Sequence, residues 1–517
     1  MRKVLILFLL TNLLLTSCGS TELWGSYDAY LTPTATRPPA DPDPVATQTV
    51  TPTAEAAATL TPTRTSSPAA SPTGPTASPR PTFLYAAQSG DSLEAVALHF
   101  GVQVDEISLN GSTPAIGYLN PGTLLEIPNR LADTTMTPSV QLLPDSELLF
   151  SPSSVAFDIE GYINDAGGKL STFREWMTFG WVTGAQGVER MAYGSSISPR
   201  LLLAMIQYYT GWVEGQPFPQ VDETLVLGYQ APLYPGLYQQ MRLAVRDLEA
   251  GYYGWRAGTL TELTFQDGTK LRIAPDQNAG TVALYNLFAR RLNQAEWQEA
   301  IDANTGFMAL YRRMFDDPWE RGRQVGPLFP VNLIQPNFTL PFEPNTLWSL
   351  TGGPHPAWEQ ESALAALDFA PAMSDSGCVE SNAWVVAIAP GQIVRSEGGY
   401  VVLDLDGDGF EQTGWVVLYM HIATKDRIPN GTWVDAGDRL GHPSCEGGTA
   451  TGTHLHLARK YNGEWVPAGD PLPFVLSGWT AHYGDAPYRG TLTKGDQIVS
   501  ASQSATHESN IIRSPDE

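Results

Sequence analysis

Four of the chain's eight histidines share a C-terminal stretch with one aspartate. His355 closes Gly352-Gly353-Pro354-His355, and Asp368 lies in Ala365-Ala366-Leu367-Asp368-Phe369. His421 ends Leu418-Tyr419-Met420-His421, while His454 and His456 stand in Thr453-His454-Leu455-His456. Imidazole and carboxylate are what a catalytic zinc takes, three from the protein with a fourth position open. Five such groups exceed that need, so the surplus points to proton transfer or oxyanion stabilisation. Short strands must position them: residues 385–387, 392–394, 400–405, 415–419 and 454–458 read as short strands separated by Gly, Asp and Asn. Residues i and i+2 of a strand share a face, so His454 and His456 project together while Leu455 and Leu457 enter the opposite layer, and Tyr419 and His421 are expected to repeat that arrangement.

An isolated His-x-His is weak evidence for a metal, but here a first His, a downstream Asp, a lone His after an aromatic and a closing His-x-His occur in order. With Val386-Ala387-Ile388-Ala389-Pro390-Gly391, Gly437-Asp438-Arg439-Leu440-Gly441 and Thr451-Gly452-Thr453 between them, residues 348–474 resemble the lysostaphin-like, β-lytic zinc metallopeptidases. The resemblance implies a β-rich antiparallel domain over 345–480 and one Zn2+ per chain on His355, Asp368 and His456. It also implies His421 and His454 at the water and the tetrahedral intermediate, and the peptide cross-links of peptidoglycan as substrate. His355 and Asp368 are 13 residues apart (368 − 355), longer than in most relatives and similar to the staphylolysin and β-lytic branch. Asp375 is a rival ligand only on paper, since Leu367-Asp368-Phe369-Ala370 has the apolar strand context expected around the ligand. A relative that kept the fold as a non-enzymatic, peptidoglycan-binding regulator of other hydrolases is the alternative, and the filled ligand positions oppose it.

The chain has three cysteines. Cys378 and Cys445 fall in loops of this domain and, in an oxidising compartment, could pair. Asp404-Leu405-Asp406-Gly407-Asp408-Gly409 resembles the opening of a Ca2+ loop, yet Trp415 occupies the position of its closing acid, which favours a polar hairpin. His442, His482 and His507 have no partner pattern and are expected at the surface.

Upstream, the composition is modular. Lys and Arg total 30 against 54 Asp and Glu, a net charge of −24 that excludes nucleic acid as a main partner. Arg2 and Lys3 precede an apolar run from Val4 to Leu15, too short to span a bilayer. Leu15-Thr16-Ser17-Cys18-Gly19 resembles the lipobox of bacterial lipoproteins, implying a signal peptide at 1–17, a lipid on Cys18 and anchoring at the outer face of the cytoplasmic membrane or cell envelope. The remainder of 18–82 is a Pro/Thr-rich, disordered linker without apolar periodicity. Residues 83–130 carry a strand, Leu93, Val96, Ala97 and Phe100 at helical spacing, a second turn and the returning strand 124–128. This β, α, α, β pattern, with Ser89-Gly90-Asp91-Ser92 and Asn120-Pro121-Gly122-Thr123, resembles a LysM module and implies docking on peptidoglycan glycan; His99 is expected solvated or half-packed.

Residues 140–335 are expected to form a mostly α domain, with helices after Ser198-Pro199 and over 237–248 and 281–292. The run from Ile197 to Trp212, with Asn278-Ala279-Gly280-Thr281, faintly resembles lysozyme-like transglycosylases, but Tyr209 stands where their catalytic glutamate belongs, so a packing or glycan-holding role is favoured. Residues 490–517 are polar and expected to be a disordered tail. The lipobox carries a test: Cys18→Ser should move the protein from the membrane fraction to the soluble exported fraction, and unchanged partitioning would contradict the anchor.

Overall fold

The computed structural model describes residues 82–109, 117–177, 180–358, 360–373 and 376–516. The expected signal peptide, Cys18, nearly all of the linker and Asp375 lie outside the described residues. No helix among those described is long and apolar enough to cross a membrane.

Strand Thr82–Ala86 pairs antiparallel with Leu124–Pro128, which also pairs with the short Ser108–Leu109. Helix Leu93–Phe100 starts where the Ser92 side chain accepts from the Ala95 N–H and stops where Gly101 adopts φ 66°. A single 3-10 turn, Val104–Glu106, precedes Ser108–Leu109 where a second helix was expected. His99 is neither solvated nor half-packed. It is buried, stacked on Trp255 at 3.6 Å and 8°, and bonded through Nε2 to the Trp255 carbonyl at 2.9 Å. That helix is therefore covered by the helical middle of the chain.

The middle holds helices Gly184–Ser195, Pro199–Thr210, Gly236–Arg256, Ala279–Ala289, Gln294–Ile301 and Phe307–Phe315. Every residue of Ala279–Ala289 is buried, as expected for a helix apolar on all sides, and Gly236–Arg256 packs along it. Close approach requires Gly251, where a Cβ would lie 2.6 Å from the Ala283 Cα.

The C-terminal part is built on one antiparallel sheet. Its strands run in the order Trp433–Val434, Gly391–Glu397, Tyr400–Asp404, Trp415–Met420, Leu455–Tyr461, Ala366–Pro371, Leu347–His355 and Asn510–Ile512. Alternation splits its side chains between two cores. Leu367, Phe369, Leu403, Val417, Tyr419, Leu455 and Leu457 join one, while Ala366, Val402, Leu418, Met420 and Ala458 join the core of the helical domain. Helices thus cover the sheet face that carries His456 and Asp368.

Two expectations are corrected here. Residues 490–517 are not a disordered tail: Gly490–Lys494 and Gln497–Ser500 form a hairpin with buried Leu492 and Val499, and Asn510–Ile512 adds to the sheet edge beside Leu347–His355. Their apolar residues are few, but Leu492, Val499 and Ile511 land on the core face of their strands, while Ile498 and Ile512 face solvent. The β-rich domain therefore does not stop at residue 480. His442 is also buried, with its ring against Trp384 and Nδ1 on the Ala383 carbonyl at 2.8 Å.

Arg256 joins the three parts. Its guanidinium reaches Asp145 at 2.8 Å and Glu464 at 2.9 Å and donates to the Ser89 carbonyl, with the side chain only 8% exposed. Removing the cation leaves two enclosed carboxylates uncompensated, a loss of about 3–5 kcal/mol. Arg256→Met should therefore lower the denaturant midpoint of the full chain clearly; a midpoint shift no larger than that of a surface Arg→Met substitution would show that the junction does not depend on it.

Candidate functional site

Register brings the expected ligands together. His456 is the cross-strand partner of Asp368, and Asp368 that of Gly352, so three neighbouring strands meet at one level. Strand Leu347–His355 then shifts register between Leu350 and Gly352 and again before His355, and these bulges re-aim the His355 side chain toward the same point. Gly352 is required opposite the carboxylate, since a Cβ there would lie 2.6 Å from Asp368 Oδ2.

Asp368 Oδ1 lies 3.2 Å from His355 Nε2 and 3.3 Å from His456 Nδ1, and those two nitrogens are 3.0 Å apart. All three residues are buried. The outer nitrogens settle the tautomers, because a carbonyl oxygen only accepts: His355 Nδ1 donates to Gly353 at 2.8 Å and His456 Nε2 to Ala357 at 3.1 Å. In the neutral rings, Nε2 of His355 and Nδ1 of His456 are then lone pairs facing each other and the carboxylate. Asp368 Oδ1 is buried without a hydrogen bond of proper geometry. Three mutually repelling acceptors at this spacing fit a divalent cation, since donors at about 2.0–2.1 Å from a tetrahedral centre stand roughly 3.3 Å apart. The same geometry governs the protons. Burial alone would raise the Asp368 pKa, but His355 and His456 hold it well below the usual carboxylate range. For His355, Asp368 outweighs burial and raises the imidazole.

His421 and His454 flank the cluster, with ring centroids 4.4 Å apart. Each donates from Nδ1 to a backbone carbonyl, Glu446 at 2.7 Å and Gly452 at 2.8 Å, which leaves both Nε2 atoms as proton acceptors. Burial, followed by the charges of His454 and His456, pushes the His421 pKa down to about 3 and keeps it neutral. His454 Nε2 is 3.8 Å from Asp368 Oδ1. Tyr419 and His421 do not share a face as expected. Tyr419 points into the far core, where its hydroxyl oxygen accepts from the Ile388 N–H at 2.8 Å, whereas His421 adopts φ 66°, a left-handed backbone that turns its ring toward His454. A non-glycine residue held there stores strain at the site.

Loops complete the rim. Cys378 and Cys445 form a disulfide with Cα atoms 5.7 Å apart. Next to it, Thr453 exchanges bonds with Val379 at 3.0 and 2.6 Å, and Glu446 supplies the carbonyl that holds His421. One residue escaped the sequence reading: Tyr488, which stacks on the His355 ring at 4.2 Å and 20°. It comes from the segment expected to be beyond the domain, and no spacing announces it. Asp404, Asp406 and Asp408 converge elsewhere, but Asp404 accepts from the hairpin N–H groups of Asp406 and Gly409, as a polar hairpin requires. His482 bonds Thr493 at 2.7 Å and His507 is exposed, both away from the cluster.

Residues 141–332 match the family described as LasA, N-terminal domain. The chain is 25% identical over 355 residues to Protease LasA of Pseudomonas aeruginosa, covering 64% of this chain and 76% of that protein. Among solved structures, the M23 metalloprotease pseudoalterin from the deep sea matches with TM-score 0.27 and 21% identity over 32% of this chain and 96% of its own. The catalytic domain of lysostaphin from Staphylococcus simulans matches with TM-score 0.18 and 25% identity over 24% of this chain and 90% of its own.

The disulfide carries its own prediction. Thiol labelling of the denatured, unreduced protein should find neither Cys378 nor Cys445. Stoichiometric labelling of both would contradict the bridge.

Proposed function

We propose that the chain is a zinc-dependent endopeptidase that cleaves peptide cross-links of bacterial peptidoglycan, docked on the wall through residues 83–130 and tethered through Cys18. The similarity to Protease LasA supports a peptidase. The observation that supports the zinc assignment is the buried triangle of His355 Nε2, Asp368 Oδ1 and His456 Nδ1, three converging atoms that one shared cation would satisfy together. Bound there, zinc supplies Lewis acidity to a carbonyl and to water.

The remaining work falls to the protein's own groups. His421 and His454 present unprotonated Nε2 atoms beside the cluster, one to take the proton of the attacking water and the other to steady the oxyanion. As the C–N bond of the cross-link breaks, the proton taken from water passes to the leaving nitrogen. The carbonyls of Glu446 and Gly452 hold both rings in orientation, which lowers the entropy cost of the transfer. Tyr488 covers one side of His355 and limits water at the ligand.

The two groups of histidines separate on metal content. His355→Ala, Asp368→Ala and His456→Ala should lose bound zinc by elemental analysis. His421→Ala and His454→Ala should keep near-stoichiometric zinc while hydrolysis of a cross-link peptide falls by about a hundredfold or more. Retention of metal and activity in Asp368→Ala would remove the carboxylate from the ligand set. A wild-type protein that binds no zinc and cuts nothing would favour the regulator reading.

A further inference from the structure

A cavity of about 1090 Å³ opens where the three parts of the chain meet. Tyr118 and Leu119 come from the N-terminal module, Tyr253 and Leu260 from the end of the long helix and the turn after it, and Trp465 and Tyr483 from the β-rich domain. Two further lining segments lead directly into the metal-ligand cluster. Pro354 precedes His355, and Pro487 precedes Tyr488, the residue stacked on His355. The loop that lines it at 360–364 is closed by the Ala357 N–H on the Ala363 carbonyl, and the Ala357 carbonyl holds His456. The cavity and the cluster therefore share walls.

Its electrostatics select the occupant. The one cation in the lining, Arg256, is buried and committed to Asp145 and Glu464. Glu94, Glu361 and Asp470 stand around the mouth, exposed and without ion-pair partners among the described residues. Anionic ligands are repelled. An alkyl chain ending in an ammonium suits aromatic and proline walls with carboxylates at the rim, through burial of the stem and cation–π contact with the rings.

We propose that this cavity is a specificity subsite that takes the amine-bearing side chain of a peptide whose backbone lies at the His355–Asp368–His456 cluster. The inference rests on the peptidase reading for the backbone's position, but not for the cavity's affinity. Calorimetric titration of the full chain with Nα-acetyl-Lys-Ala-Ala, and with its Nε-acetylated counterpart, should show the free amine binding about tenfold more tightly, a difference of about 1.4 kcal/mol. Glu361→Gln with Asp470→Asn should erase that preference, as should high salt, which screens exposed carboxylates. Equal affinity of the two peptides, a preference untouched in the double variant, or displacement of the amine peptide by a neutral saccharide would overturn the proposal. Two controls separate it from the peptidase reading. His456→Ala should retain the amine preference without turnover. Hydrolysis of neutral and amine-bearing peptides with the same kcat/KM in wild type would sink the subsite and leave the peptidase standing, whereas amine-selective binding with no hydrolysis would do the reverse.

Discussion

A carboxylate enclosed in protein is costly unless positive charge reaches it, and the site is organised around that demand at Asp368. Its Oδ1 is buried without a well-formed hydrogen bond and is faced by two imidazole lone pairs. Strand order and register impose this crowding: Ala366–Pro371 lies between Leu455–Tyr461 and Leu347–His355, and a slip of one residue in either pairing would send a ligand into the opposite core. Backbone carbonyls on the outer ring nitrogens then prevent the imidazoles from relieving the crowding by rotating. The apolar alternation of the three strands and the donor geometry are thus one constraint.

The parts of the fold visible in the sequence are those governed by local period. The strands around 385–458, the helix from Leu93 capped by Ser92 and Gly101, and the helices after Ser198 and over 237–248 all follow from spacing and caps. His355, Asp368 and His456 were legible because residue types and order suffice to suggest a ligand set. Three things were not. The left-handed backbone of His421 breaks the alternation that would have placed it with Tyr419, and only the neighbouring loop explains it. Residues after 490 carry too few apolar side chains to announce strands, yet pairing with the sheet edge uses backbone groups that composition does not reveal. His99 reads as an exposed helical position until Trp255, 156 residues away, covers it.

Long-range docking has a further consequence for how the molecule works. With His99 stacked on Trp255 and Arg256 bonded to the Ser89 carbonyl, the N-terminal module is held on the helical domain, while the helical domain covers one face of the C-terminal sheet. If the N-terminal module binds the wall as proposed, a module fixed in this way would present the polymer at a set distance from the His355–Asp368–His456 cluster, where a free arm would only raise its local concentration.

The proposed metal site consists of two imidazoles and one carboxylate with no sulfur. Zinc K-edge X-ray absorption on the full chain loaded with one equivalent of zinc tests it most directly. The expected spectrum has a first shell of nitrogen and oxygen at about 2.0–2.1 Å, with outer-shell scattering from two histidine rings. A sulfur shell near about 2.3 Å, or scattering from three or more imidazoles, would contradict it.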